Sequence, residues 1–439
     1  MGISNLIFAL CLILAIFFFR RNVLKIKRNV FLGRDVNRSD QPSVRWKTMI
    51  RVALGQSKMM VKPIAGFLHL IVYVGFVIIN IEVLEIIIDG IFGTHRIFSF
   101  MGGFYDFLIA SFEVLALLVL LACVLFFIRR NGIQLKRFVM KEVAGWPKTD
   151  ANLILIFEVL LMGAFLLMQS ADLTLQKLGA AHYTEAGSFP VSSSLLFVFE
   201  GMSETTVYAY ERFFWWFHIL GILAFLNYLP YSKHLHIVLA FPNTYHSNLK
   251  PKGAFTNMES VTQEVKLMMD PEADPYAVSD TDLADEVQRF GAKDVTDLSW
   301  VQLMNAYSCT ECGRCTSECP AHQTGKILSP RKIMMDTRDR LEAYGDRLDG
   351  IKTEVDDQTL LDGYITREEL WACTTCNACT DACPINIDPL SIILDMRRYM
   401  VMEESAAPNE LNMMFTNVEN NGAPWQFPAA DRLKWRDEF

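Results

Sequence analysis

The first 229 residues alternate between long apolar runs and short polar ones, on a scale well beyond the periodicity of an amphipathic helix. The apolar runs cover residues 3–19, 64–88, 104–128, 152–169 and 213–229, each near the ~20 residues a helix needs to cross the hydrocarbon core of a bilayer. The first run is followed at once by Arg20 and Arg21, whereas a secretory signal carries its charge before the apolar stretch. It predicts a retained membrane helix with its N-terminus outside. The connecting segments 20–62 and 129–148 together hold 18 Lys and Arg, against only Arg96, Lys177 and Arg212 in segments 89–103 and 170–212. Positive-inside bias puts the basic loops in the cytoplasm, and after five spans the C-terminal half lies there too.

Beyond Leu229 the chain reads PYSKHLHIVLAFPNTYH and then turns polar. Residues 1–250 carry 23 Lys and Arg against 15 Asp and Glu, and the remainder 18 against 34. The mean hydropathy of +0.22 and net charge of −8 therefore average a basic membrane half and an acidic soluble half. Nothing points to nucleic acid as a partner, since the cysteine half is acidic and the basic residues flank apolar spans where lipid headgroups meet them. The division expected is a five-helix membrane bundle over 1–240, an acidic linker over 241–297, a mostly α-helical two-cluster ferredoxin-like domain over 298–402 and a tail over 403–439. Pro271 and Pro275 punctuate the linker, which also carries one short amphipathic stretch at 283–290. Residues 329–341 and 360–370 read as helices, and the Trp and Phe residues of the tail suit either a segment lying on a partner or disorder.

The soluble half is organised around two cysteine runs. Cys309, Cys312, Cys315 and Cys319 precede Pro320; Cys373, Cys376, Cys379 and Cys383 precede Pro384. Both read C-x2-C-x2-C-x3-C-P. In that pattern three thiolates wrap one 4Fe-4S cube and the fourth reaches the cube held mainly by the other run. The expected ligands are thus Cys309, Cys312, Cys315 and Cys383 for one cluster, and Cys373, Cys376, Cys379 and Cys319 for the other. Zinc knuckles have no use for the third cysteine or the proline, and disulfides are rare in a reducing compartment.

Three histidines stand out in the membrane half. His69 lies about 7 residues, or ~10 Å, into the second span. His218 and His236 are 18 residues apart, five turns or ~27 Å if the fifth helix runs on past a kink at Pro230. Depth then pairs His69 with His236, and two imidazoles at one depth on facing helices suit a six-coordinate b-type haem. The plainer reading makes His236 interfacial and His69 a packing residue. Glu82, Glu85, Asp106, Glu113 and Glu158 also fall in apolar spans, where a charge costs at least ~2.5 kcal/mol at mid-membrane. Glu82 and Glu85 share a helical face, with Glu113 at a similar level. They suit a proton route or quinone-head site, and equally a polar contact with another subunit.

The segment FHILGILAFLNYLPYSKHLHI resembles the last helix of the nitrate reductase gamma subunit and its relatives, including the cytochrome b subunit of membrane-bound heterodisulfide reductase. His218, Pro230 and His236 fall on that pattern, and GFLHLIVYVG around His69 is similar to the partner helix. The second histidine of that helix is replaced by Ile79. The resemblance implies one haem between His69 and His236 on the cytoplasmic side and leaves His218 without the partner that an outer haem needs. The stretches DLSWVQLMNAYSCTECGRCTSECPA and LWACTTCNACTDACPINIDPL resemble heterodisulfide-reductase-related cluster proteins. In fused relatives two cysteine-rich CCG modules follow; no cysteine follows Cys383 here, so such a module is expected on a separate subunit.

These observations combine into one expectation. A multi-pass protein of a bacterial or archaeal cytoplasmic membrane passes electrons between a cytoplasmic donor and the quinone pool through two 4Fe-4S clusters and haem b, with a second haem left open. The resemblance implies a flavoprotein or CCG-type dehydrogenase subunit as donor, within a hetero-oligomeric complex. A single haem near the clusters implies quinone chemistry in the cytoplasmic half of the membrane. The rival expectations are a non-catalytic anchor or assembly subunit and a thiol–disulfide (heterodisulfide) reductase component.

Overall fold

The computed structural model describes residues 2–272, 289–351 and 357–437; most of the amphipathic stretch expected at 283–290 lies outside them. The described residues are helical and contain no β-strand, only two isolated bridge pairs. Five helices are long and apolar enough to cross a membrane: α1 (Ile3–Val30), α3 (Pro63–Phe92), α4 (Gly103–Asn131), α5 (Trp146–Leu178) and α6 (Glu204–Tyr228). The short α2 (Pro42–Met49) precedes α3. The five pack in a closed ring, α1 on α3, then α4, α5, α6 and back to α1. Phe8, Ile79, Ile109, Phe112, Phe165 and Ile219 fill its centre. Lipid-facing positions such as Ile13, Leu84 and Leu121 stay exposed, as a bilayer solvent requires.

Each helix outruns its apolar run, because Lys, Arg and Asn are adequate helix formers and nothing breaks the helix where the membrane ends. In α1 this extension matters. Its last turns leave the bundle and dock on α12 (Pro330–Leu348), where Lys25 pairs with Asp346 at 2.6 Å and Arg28 pairs with Asp349. Asn29 is buried and donates to the Tyr307 hydroxyl at 3.0 Å. Gly345 makes the approach possible: a Cβ there would stand 2.5 Å from the Asn29 side chain.

The soluble part comprises α7 (His236–Tyr245), α8 (Glu259–Met269), α9 (Trp300–Ser308), α10 (Arg314–Ser317), α11 (Pro320–Gln323), α12, α13 (Arg367–Trp371), α14 (Ala378–Ala382), α15 (Pro389–Met402) and α16 (Asn409–Asn421). One core unites it with the membrane half, for Val30, Ala53 and Ala240 pack among Leu303, Ile333, Ile393 and Met396. Residues 241–245 therefore belong to a helix on α9, and linker composition begins only after it. Buried Arg45 donates to the Tyr245 and Ser247 carbonyls at 3.1 Å each, and Asn243 donates to the Ile385 carbonyl at 2.7 Å. Between the cysteine runs the expected first helix is present as α12. Residues 360–364 instead form a turn with non-helical Leu361 and Asp362, ahead of the short α13. In the tail, α16 buries none of its residues.

At the end of the bundle remote from the cysteines, buried Arg96 is the centre of a polar knot. It donates to Asp172 at 2.9 Å, to Gln169 at 2.6 Å and to the Tyr105 hydroxyl at 3.1 Å, while His95 meets Asp172 at 3.0 Å. Removing one partner of a buried pair leaves an uncompensated charge, at a cost of about 3–5 kcal/mol. Asp172→Ala is accordingly expected to lower the thermal unfolding temperature of the detergent-solubilised protein sharply, with Asp172→Glu restoring most of it.

Candidate functional site

Two copies of one local design carry the cysteines. Each begins with a helix fixed by a capping box: Ser299 with Gln302 ahead of α9, and Thr366 with Glu369 ahead of α13. The helix delivers the first cysteine, and the chain then loops back. In the first loop Glu311 and Gly313 have φ of 55° and 73°; in the second Thr375 and Asn377 have 58° and 62°. The left-handed residues thus fall at the same two places after Cys309 and Cys373. The third cysteine of each run then sits in a short helix, α10 or α14, and these two helices face each other. At Gly313 the positive φ, which Asn377 tolerates at the equivalent place, combines with the Arg331 guanidinium 2.6 Å from where a Cβ would stand, and the close approach favours glycine.

The fold brings the fourth cysteine of each run to the other run. Cys383 lies within electrostatic reach of Cys309, Cys312 and Cys315, and Cys319 within reach of Cys373; Cys379, the third cysteine of its run, also lies within reach of Cys315. Backbone N–H groups point at sulfur, from Thr375 to Cys373 at 3.4 Å and from Ile387 to Cys383 at 3.3 Å, the kind of contact that tunes cluster potentials. Burial pushes the Cys309 thiol up to about 12 and the Cys383 thiol up to about 11, so thiolate ligation here needs a strong cationic partner that displaces the protons. Among the described residues no three His, Cys, Asp or Glu side chains converge on a point that would hold a single metal ion.

Cations that sequence reading passed over brace both loops. Arg314 donates to the Lys58 carbonyl at 2.9 Å, Arg331 to the Arg137 carbonyl at 2.6 Å, and Arg397 to the Cys373 carbonyl at 2.6 Å. Lys58 itself donates to the Cys383 carbonyl at 3.1 Å. Buried Glu311, inside the first loop, pairs with Lys233 and with Arg338 at 2.8 Å. Burial alone would raise its carboxyl, but the two cations outweigh that and hold it below the usual range.

Near that loop stand His69 and His236, their ring centres 6.4 Å apart. At that spacing both imidazoles could reach one metal ion placed between them through bonds of ~2 Å. His236 Nδ1 meets the Lys233 carbonyl at 3.1 Å, which fixes the tautomer and frees Nε2 for a metal. His69 Nδ1 is buried without a partner among the described residues, and Arg314 lies within its electrostatic reach. His234, two residues away, was missed as a candidate: its ring centre is 5.3 Å from that of His236.

His218 is placed differently from the five-turn expectation. The fifth helix ends at Tyr228, and two 3-10 turns separated by an extended Ser232 intervene before α7 starts at His236, so helical counting does not carry from one histidine to the other. Pro230 starts this break rather than kinking a continuous helix. His218 is buried against Phe165 and bonds the Leu161 carbonyl through Nδ1 at 3.0 Å. His95 and His182 pack on each other at 5.7 Å.

The membrane carboxylates separate into different roles. Glu82 and Glu85 line a cavity of about 420 Å3 at the remote end, together with His95, Arg96, Asp172 and Trp215. Glu85 is fully engaged, accepting from the Phe98 N–H and the Tyr105 hydroxyl at 2.9 Å each. Glu82 accepts from Gln169 through one oxygen, and the other has no partner among the described residues. Glu113 does not line the cavity; one oxygen accepts from the N–H groups of Val191 and Ser192 at 2.8 and 3.1 Å, and the other has no partner among the described residues.

Comparison with known proteins agrees with the cysteine geometry. Residues 308–387 match the family model of the 4Fe-4S dicluster domain. The chain is 29% identical over 415 residues to the probable iron-sulfur-binding oxidoreductase FadF of Bacillus subtilis, covering 88% of this chain and 54% of that one. It is 28% identical over 430 residues to the EtfAB:quinone oxidoreductase of Syntrophomonas wolfei, covering 92% and 55%. It is 27% identical over 151 residues to one subunit of the dihydromethanophenazine:CoB--CoM heterodisulfide reductase of Methanosarcina mazei, covering 32% and 35%. The likenesses support an iron–sulfur electron-transfer protein related to the heterodisulfide reductases. The chain spans about half the length of the first two relatives. No solved structure matches it.

Proposed function

We propose that the chain is a membrane-embedded electron conduit linking a soluble flavoprotein or CCG-type subunit to the quinone pool, through two crossed 4Fe-4S clusters and a b-type haem. The observation that carries the proposal is the junction of the two halves. The first cysteine loop, through Arg314 and Glu311, lies against the turn and helix that present His236 and His69. Cys309, Cys312, Cys315 and Cys383 would hold one cluster; Cys373, Cys376, Cys379 and Cys319 the other. His69 and His236 would hold the haem, with Lys233 fixing His236 through its carbonyl. Bound, these groups supply one-electron steps; the chain's part is to set their spacing, exclude water and tune their potentials.

The distribution of basic residues supports a cytoplasmic cluster domain and an outer N-terminus. The name of the Syntrophomonas relative supports a quinone as the membrane partner. Glu82, with a free oxygen on a remote cavity, is the carboxylate best suited to exchange a proton there; Glu85 has both oxygens in hydrogen bonds, and Glu113, which also keeps one oxygen without a partner among the described residues, lies off the cavity.

A reduced-minus-oxidised spectrum of the purified chain, taken with iron, sulfide and haem quantification, tests the reading. A b-type α band with one haem and ~8 iron atoms in clusters per chain is expected. Absence of the band would favour the anchor-subunit alternative, and two haems per chain would bring His218 back as a ligand. Topology has its own test. Single cysteines placed in 180–190 should react with an impermeant thiol reagent from outside, and cysteines in 35–45 should not; the reverse pattern would turn the protein over.

A further inference from the structure

The two cysteine loops share spacing and backbone conformation but not surroundings, and the difference is systematic. In the first, no residue from 309 to 316 is exposed. The membrane half seals it: Glu311 pairs with Lys233, Arg314 donates to the Lys58 carbonyl, and Arg331 joins the loop to the Arg137 carbonyl and to Glu142 at 2.7 Å. In the second, Thr374 and Cys376 are exposed. Its brace, Arg397, comes from its own domain, and the ion pair of Lys252 with Asp381 at 2.6 Å, two residues past the loop, is open to water.

From this asymmetry we infer that the loop over 373–379 is the docking face for a soluble redox partner, and that the loop over 309–315 faces the membrane bundle. The inference deepens the proposed function and rests on its assignment of the cysteines as cluster ligands. The partner it fits is a protein that presents a flavin or cluster edge at its own surface, because Cys376 is the one cysteine of the two runs that is itself exposed. The face offers hydroxyl and amide groups from Thr374, Thr375 and Asn377 rather than a block of charge. Binding there is expected to depend on shape and hydrogen bonds, and only weakly on ionic strength.

The first test uses the full-length protein in detergent with both clusters reduced, and a neutral dysprosium chelate as a soluble relaxant in paramagnetic resonance. One of the two cluster signals is expected to relax several-fold faster with the chelate, and Cys376→Ser should shift or abolish that same signal. Equal relaxation of both signals, or relaxation of the one that Cys376→Ser leaves unchanged, would overturn the inference. If Cys376→Ser assembles one cluster only, its surviving signal marks the inner cluster, which in the unaltered protein must be the less relaxed. A second test uses Thr374→Trp, which adds bulk on the exposed loop without touching a ligand. Reduction by photoreduced flavodoxin as probe should slow several-fold, with the dithionite-reduced spectrum unchanged; an unaltered rate would dismiss the docking face. Neither test needs a haem, so a missing α band would count against the proposed function and leave this inference to stand or fall separately.

Discussion

If His69 and His236 hold a haem as proposed, His236→Ala should remove the b-type α band and leave the cluster iron of the purified protein unchanged. The expectation follows from how the chain presents that ring. The helix carrying the fifth span stops at Tyr228, the backbone straightens at Ser232, and α7 opens with His236 at its first position. Lys233 performs two tasks there: its carbonyl meets His236 Nδ1, and its ammonium pairs with Glu311 of the first cysteine loop. A ligand held through its second nitrogen loses affinity by 10–100-fold when that support is removed, and removal of the ligand itself should cost essentially all of the bound haem. His234→Ala supplies the control, since its imidazole is near enough to compete for the role. The band should survive His234→Ala. Survival in His236→Ala together with loss in His234→Ala would transfer the assignment to His234, and survival in both would remove haem ligation from this turn. Cluster iron should stay constant throughout, because the cysteine loops are held by their own capped helices and by Arg331 and Arg397.

How much of this was legible in the sequence depends on range. The five spans could be read because apolar length is a local property, and the cysteine runs because ligand spacing is local too. What escaped reading was the way the halves join. Nothing in the composition of 20–30 or 241–248 distinguishes a helix end lying in water from one packed in a second core, yet Asn29 and Asn243 are buried in that junction. Pro230 signalled a disturbance, but whether a proline kinks a helix or ends it is decided by the residues after it, here Ser232 and the docking of α7 on α9. The membrane carboxylates could be flagged by cost alone. Their division into the fully bonded Glu85 and the half-free Glu82 and Glu113, of which only Glu82 lines the cavity, required their partners at 98, 105, 169 and 191. The equivalence of the cysteine loops was visible; their opposite exposure was not, since it is imposed by residues more than 70 positions away.

Cys383→Ser should abolish the cluster carried by the first cysteine run and spare the one carried by its own. The pattern C-x2-C-x2-C-x3-C-P motivates this, because three residues of spacer and a proline turn the fourth thiol away from the loop that precedes it. The structure supplies the local reason. After Cys383 the chain passes through Pro384 to Asn386 at φ 60°, the Ile387 N–H points back at Cys383 sulfur, and Lys58 and Asn243 hold the carbonyls of Cys383 and Ile385 from the membrane half. The thiol is thereby carried to within electrostatic reach of Cys309, Cys312 and Cys315. Iron in clusters should fall from ~8 to ~4 per chain, and the surviving resonance should be the one that Cys376→Ser alters. Cys319→Ser should produce the complement, sparing the resonance that Cys376→Ser leaves alone. If Cys383→Ser instead eliminates the Cys376-sensitive signal, each run holds its own cube. The N–H groups at 375 and 387 would then tune a single cluster rather than two.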